Sequence, residues 1–165
     1  MENYPEGVRY LQQHPLPIVL KADGLAAGKG VVICENHIEA IAEYELMLQR
    51  AKYGEAGKKV VVEQFLQGIE MSVFVLTDGK NYVILPEAKD YKRVREGDKG
   101  PNTGGMGAIS PVPFADEAVM NRIEEKVIKP TVKGLQKEGL EYRGFIFFGL
   151  MIAGGEPYMI EYNCR

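Results

Sequence analysis

Only two cysteines, Cys34 and Cys164, occur among the 165 residues. They lack the paired spacing of a metal or redox motif, which excludes a disulfide-stapled scaffold and predicts reduced thiols, with a single bridge as the lesser alternative. Long apolar runs are also missing. No stretch approaches the roughly 20 residues needed to span a bilayer, and the opening MENYPEGVRY lacks the basic-then-apolar order of a signal peptide. There is no excess of positive charge either: Lys and Arg total 20 against 23 Asp and Glu, a net charge of −3. A nucleic-acid backbone is therefore not the expected partner. Internal repeats and low-complexity tracts are absent. A soluble, cytoplasmic protein without a membrane or nucleic-acid partner is expected.

What is present is an ordinary globular composition, 45% hydrophobic and 26% charged, in a chain long enough to bury a core in one domain of two lobes. Pro17 to Lys21 (PIVLK) and Val31 to Cys34 read as strands flanking the loop ADGLAAGKG. Asn36 and Glu39 form a capping-box pattern, and Ile38, Ile41, Tyr44, Leu48 and Ala51 fall at helical spacing, predicting a helix over 36–52 closed by Gly54. Lys59 to Leu66 reads as a buried strand, and Met71–Thr77 with Tyr82–Leu85 as a hairpin around Asp78-Gly79. Pro86 to Pro113 shows no periodicity and is expected to be a long irregular stretch, of the kind that usually carries function. A helix is predicted from Asp116, with Met120, Ile123 and Val127 on one face, kinked or ended by Pro130 and continuing to Lys137. A last hairpin turns at Gly154-Gly155. Strands joined mostly by hairpins predict an antiparallel α+β fold.

Nineteen glycines gather in two places. In the first, Gly24 to Gly30 (GLAAGKG) follows Lys21. Glycines let backbone N–H groups approach phosphate oxygens, and lysine adds a compact positive charge. The spacing is not that of a P-loop, since only three residues separate Gly24 from Gly28 and Gly30 replaces the required Ser or Thr. Ile33 likewise stands where a GxGxxG motif needs glycine. A hairpin loop with a solvated lysine remains the plain alternative. In the last strand Glu161, Asn163 and Arg165 alternate with Ile160 and Tyr162 and so share one face. A carboxylate, an amide oxygen and a guanidinium together suit Mg²⁺ and a transferring phosphoryl group, although a strand with one wet face would look the same. Glu63 interrupts an apolar strand and Glu70 follows just beyond it; each could meet a nucleoside or simply face water. The segment Asp90 to Gly107 mixes charge with GPNTGGMG, a candidate nest for a phosphorylated substrate or a charged loop.

Taken in order, KADGLAAGKGV, EQFLQGIE, DYKRV…GPNTGGMGA and IEYNCR resemble four successive signatures of the glycinamide ribonucleotide synthetases (phosphoribosylamine–glycine ligases), from about Pro17 to Arg165. GPNTGGMG preceded by D-x-K-R is particular to that family, while E-x-N-x-R is shared by the wider ATP-grasp superfamily. The resemblance implies an ATP-grasp fold with a small lobe over 1–67 and a larger lobe over 68–165, and further domains of a parent enzyme on either side. It implies ATP-dependent ligation of glycine to 5-phosphoribosylamine through glycyl phosphate in purine biosynthesis, with Mg²⁺, or Mn²⁺ in its place, as the metal.

The family's roles carry over residue by residue. Lys21 and Lys29 would hold ATP phosphates, with Gly28 and Gly30 in the loop folding over them. Glu63 and the backbone of Phe65 and Leu66 would line the adenine pocket between lobes, and Glu70 would take the ribose. Glu161 and Asn163 would bind the metal. Arg165, at the transferring phosphate, and Lys29 would be catalytic. Asp90, Lys92, Asn102, Thr103, Gly104 and Gly105 would face glycine and phosphoribosylamine. This stretch alone is expected to bind MgATP weakly without turnover. Tyr91 stands where the family often has histidine, and Gly144 to Ile152 offers no acidic residue for a second metal. His14 and His37 match no motif. The alternatives are another ATP-grasp carboxylate–amine ligase or carboxylase, or a non-catalytic nucleotide-binding module.

Overall fold

The computed structural model describes residues 1–26, 29–97 and 99–164, with residues 99, 101 and 102 described by backbone alone. Two compact units divide the chain, Met1–Phe65 and Leu66–Arg165.

The first unit begins with a helix, α1 (Tyr4–Leu11), that the sequence reading did not foresee. Its signals are nevertheless present: the Asn3 side chain caps it by accepting from Glu6 N, and a proline occupies its first turn. Gly7 sits mid-helix because a Cβ there would strike the ring of Tyr44. That ring is buried, stacked on Tyr4 with centroids 5.8 Å apart, and its hydroxyl donates to Asn3 O. Three antiparallel strands follow, β1 (Ile18–Ala22), β2 (Val31–Cys34) and β3 (Val60–Gln64), in the order β2-β1-β3. Ile18 and Leu20 point to a core shared with Leu11, Ala40, Tyr44, Met47 and Val60.

Helix α2 (His37–Leu48) starts as predicted. Asn36 Oδ1 accepts from Glu39 N at 2.9 Å, and the Glu39 carboxylate accepts from Glu35 N. It ends four residues sooner than the predicted Lys52, because the chain turns through Ala51 at φ 51° while Arg50 N reaches back to Glu45 O. A 3₁₀ turn (Gly54–Lys58) then leads into β3. β3 also stops short of the predicted Leu66, at Gln64.

In the second unit β4 (Ile69–Thr77) and β5 (Tyr82–Ile84) form the predicted hairpin, and β8 (Gly144–Ala153) and β9 (Glu156–Cys164) form the closing one. They join into one antiparallel sheet, β5-β4-β8-β9. One face packs Met71, Val73, Val75, Phe148 and Leu150 against Ile123 and Ile128 of the helical layer. That layer is α3 (Glu117–Ile123), a π-helical turn (Glu124–Ile128) and α4 (Lys129–Lys137). Pro130 does not end the helix, one of the two outcomes expected from the sequence, since the helical layer runs on to Lys137. A proline lacks an N–H and crowds the carbonyl one turn back, and the wider π turn immediately before it absorbs both effects.

The expected irregular stretch between Pro86 and Pro113 is instead largely a two-stranded antiparallel ribbon, β6 (Lys89–Arg95) and β7 (Lys99–Ile109). Its residues are mostly exposed, so no buried face imposed the alternation from which strands are read. Its register is also broken. Tyr91 pairs with Gly107 but Arg93 pairs with Asn102, so the residues from Thr103 to Met106 bulge out opposite Lys92.

Candidate functional site

Within the first unit, the strand register sets Val19, Lys21, Val31, Ile33, Val61 and Glu63 on the face turned away from α1 and α2. Lys21 Nζ lies 3.4 Å from Glu63 Oε1, so two residues picked out separately from the sequence are partners. Around them Val31 and Ile33 remain exposed. An apolar surface holding one cation and one anion can receive a flat ring and an attached phosphate chain.

The glycine loop leaves this face where Ala22 N donates to Gly30 O. At its start Asp23 pairs with Lys59 at 3.3 Å, Asp23 N donates to Lys59 O, and Gly24 N donates to Ala56 O. This anchorage was missed from sequence; its signal was an acid beside the loop and a lysine beside β3. At the loop's end Lys29 is exposed, its N–H donating to Ala26 O, and Gly30 is buried where a Cβ would lie 2.7 Å from that of Ala26. Gly28 lies outside the described residues. Phe65 and Leu66 are half-buried in the segment after β3.

Within the second unit, the sheet face turned away from α3 and α4 carries Glu70, Ser72 and Phe74 from β4, then Phe147, Gly149 and Met151 from β8. Glu161 and Asn163 of β9 join the same face, opposite Gly149 and Phe147. A bulge makes this so. Met159 pairs with Leu150 but Glu161 pairs with Gly149, leaving Ile160 as the extra residue. Without it Glu161 would share the face of Pro157 and Met159. The Asn163 amide donates from Nδ2 to Glu161 Oε1 at 3.3 Å. Among the described residues no hydrogen bond falls on Glu161 Oε2 or Asn163 Oδ1. These hard oxygens fit Mg²⁺ or Mn²⁺ rather than a soft metal. No group of three His, Cys, Asp or Glu side chains placed to hold a metal occurs among the described residues. Arg165, the third member of the row, lies outside them. Glu70, the expected ribose ligand, is exposed on this face.

Ser72 was not singled out from sequence. It is only 6% exposed on this face, in register with Gly149, and its signal was a hydroxyl between Met71 and Val73 in an apolar strand.

The ribbon gathers the residues expected to meet the substrates. Asp90 and Lys92 approach within 4.0 Å on β6. Thr103 Oγ1 donates to Lys92 O at 2.8 Å and accepts from Gly105 N, which ties the β7 bulge to β6. Gly104 is exposed in the same bulge, while the Asn102 side chain lies outside the described residues. His37 Nε2 meets His14 O at 3.0 Å, a contact within the first unit that joins the start of α2 to the chain before β1. Both cysteines are free, Cys34 buried and Cys164 exposed. Among the described residues no helix is long and apolar enough to cross a membrane.

Comparison with known proteins shows the family of the chain. The family described as phosphoribosylglycinamide synthetase, ATP-grasp (A) domain, matches residues 1–165. A phosphoribosylamine–glycine ligase of Clostridium acetobutylicum is 48% identical over 99% of this chain, which spans 39% of that relative's length. The crystal structure of the phosphoribosylamine–glycine ligase from Thermotoga maritima superposes with a TM-score of 0.84 at 43% identity, covering 98% of this chain and 41% of the other. The biotin carboxylase domain of the Hydrogenobacter thermophilus 2-oxoglutarate carboxylase, solved with MgADP, shares the fold at a TM-score of 0.72 and 21% identity, over 99% of this chain and 34% of its own. With its antiparallel α+β architecture, and matched along its whole length, the chain belongs to the phosphoribosylglycinamide synthetase ATP-grasp (A) domain family.

Proposed function

We propose that this chain is the ATP-binding part of a cytoplasmic enzyme that joins glycine to 5-phosphoribosylamine, giving glycinamide ribonucleotide, ADP and phosphate. Because the chain spans 39% of the length of its Clostridium relative, glycine transfer is proposed for the longer protein and nucleotide binding for this stretch. Residues 1–67 would form the small lobe and 68–165 the larger one. The observation that carries the reading is the Glu161–Asn163 pair, two hard oxygen donors turned onto one open face by the bulge at Ile160.

The reaction needs a leaving group that a carboxylate lacks. A glycine carboxylate oxygen attacks the γ-phosphorus and the bond to ADP breaks, giving glycyl phosphate. The amine of phosphoribosylamine then adds to the carbonyl carbon, loses a proton, and phosphate departs. The residues supply position and charge rather than a nucleophile. Lys21 and Lys29 would meet the phosphates, with Gly28 and Gly30 allowing close backbone approach. Glu63, with the backbone of Phe65 and Leu66, would hold the base, and Glu70 a ribose hydroxyl. Asp90, Lys92, Asn102, Thr103, Gly104 and Gly105 would face the two substrates being joined. Glu161 and Asn163 would hold Mg²⁺, or Mn²⁺ in its place, which when bound supplies charge neutralisation at phosphate oxygens. Arg165 would lie against the transferring phosphoryl group.

The test is to exchange this chain for the matching stretch of the Clostridium acetobutylicum ligase and follow ADP release. Release that requires both glycine and phosphoribosylamine is expected. Release supported instead by bicarbonate or another amino acid, or none with a correctly folded protein, contradicts the reading.

A further inference from the structure

Gly149 occupies the middle of β8, a position where glycine weakens a strand because it packs no side chain and loses the most backbone freedom. Its backbone does not ask for glycine, since its φ lies outside the left-handed region that ten other glycines among the described residues occupy. Space does. A Cβ at Gly149 would lie 3.1 Å from Cγ of Glu161 and 3.4 and 3.5 Å from the ring of Phe147. Phe147 is itself held, its ring tilted against Phe74 at 5.5 Å. The stem of Glu161 therefore lies across β8 in the gap left by Gly149, with Phe147 bounding that gap. On the far side of Gly149, in the same register row, is the buried Ser72.

We propose that Gly149 is a positioning residue for Glu161: its missing side chain lets the carboxylate lie over β8, where it faces the metal. This role presupposes that Glu161 meets a divalent cation. The bulge at Ile160 chooses the face, and Gly149 chooses how far the side chain lies down on it. A methyl group at Gly149 pushes the Glu161 stem away by a few tenths of an ångström, enough to disturb Mg²⁺, whose near-ideal octahedron tolerates little displacement.

The experiment titrates Mg²⁺ at fixed ATP into the 165-residue chain and reads the ATP-dependent rise in Tm, for the native chain, Glu161→Gln, Gly149→Ala and Glu161→Asp. Gly149→Ala is expected to raise the half-saturating Mg²⁺ by about tenfold or more, the scale on which groups supporting a metal ligand act, with unchanged far-UV circular dichroism. An unchanged half-point overturns the positioning role, whether or not the ligand-free Tm falls. Should Gly149→Ala not fold, Glu161→Asp decides. It keeps the charge and Gly149 but withdraws the carboxylate by one methylene, so an unchanged half-point shows that the reach of the carboxylate over β8 is immaterial and overturns the role. If the native chain responds to MgATP but Glu161→Gln leaves the Mg²⁺ dependence unaltered, the metal reading of Glu161 fails, and the role of Gly149 with it.

Discussion

Lys21 Nζ stands 3.4 Å from Glu63 Oε1, bridging β1 and β3 on the face of the first sheet that its helices leave open. The side chains are 20% and 34% exposed, so solvent screens the pair and its contribution to stability is about 0.2–1 kcal/mol. A double-mutant cycle with Lys21→Met and Glu63→Gln is expected to return a coupling in that range by urea denaturation. The consequence for binding is larger. On the proposed function Lys21→Met removes a charge that would meet phosphate and is expected to abolish most of the MgATP-induced rise in Tm, whereas Glu63→Gln reduces it. An unaltered rise in Lys21→Met would show that the pair is structural only.

Cys34 is fully buried, and burial first, then the carboxylates of Glu39 and Glu43, push its thiol from 9.0 up to about 11. The folded chain thus keeps a proton that the unfolded chain loses from about pH 9 upward. Stability from this site is fully present below pH 9 and is lost as pH climbs toward 11, by about 3 kcal/mol in all. Cys34→Ala should flatten that alkaline decline in a series of urea melts. At pH 8 a thiol reagent should modify the exposed Cys164 at once and Cys34 only after denaturation. Rapid modification of both thiols in the native chain would contradict the burial.

Asp116 caps the helical layer of the second unit, its Oδ1 accepting from Val119 N at 2.8 Å. Asp116→Ala is expected to lower stability by about 1 kcal/mol and Asp116→Asn by much less, since asparagine keeps the accepting oxygen. Equal losses from the two substitutions would place the effect in charge rather than in the cap.

The elements most legible in the sequence are those fixed by local chemistry. Asn36 with Glu39, Asp116, Asp78-Gly79 and Gly154-Gly155 each announce a cap or a turn that the structure contains. What escaped depends on contacts distant in sequence. The β6–β7 ribbon has no buried face to write a pattern. The bulge at Ile160 is set by pairing with β8, and so cannot be read from β9 alone. Gly149 looks like a weak point of a strand until Glu161 is seen beside it. The shared face of Glu161 and Asn163 followed from alternation, but that this face is the open one did not. Glu63 and Lys21 were both picked out, yet their contact needed the register of β1 and β3.

The central claim is the proposal that this chain binds MgATP, with Lys21 and Lys29 meeting the phosphates and Glu161 and Asn163 the metal. Its most direct test is a calorimetric melt of the 165-residue chain with increasing MgATP. At ten times the dissociation constant, binding to the folded state alone adds about 1.4 kcal/mol, or roughly 3–6 °C for a chain of this size. The account predicts such a rise, dependent on Mg²⁺ and lost in Lys21→Met and in Glu161→Gln. No rise at millimolar MgATP, or a rise indifferent to Mg²⁺ and to both substitutions, would contradict it.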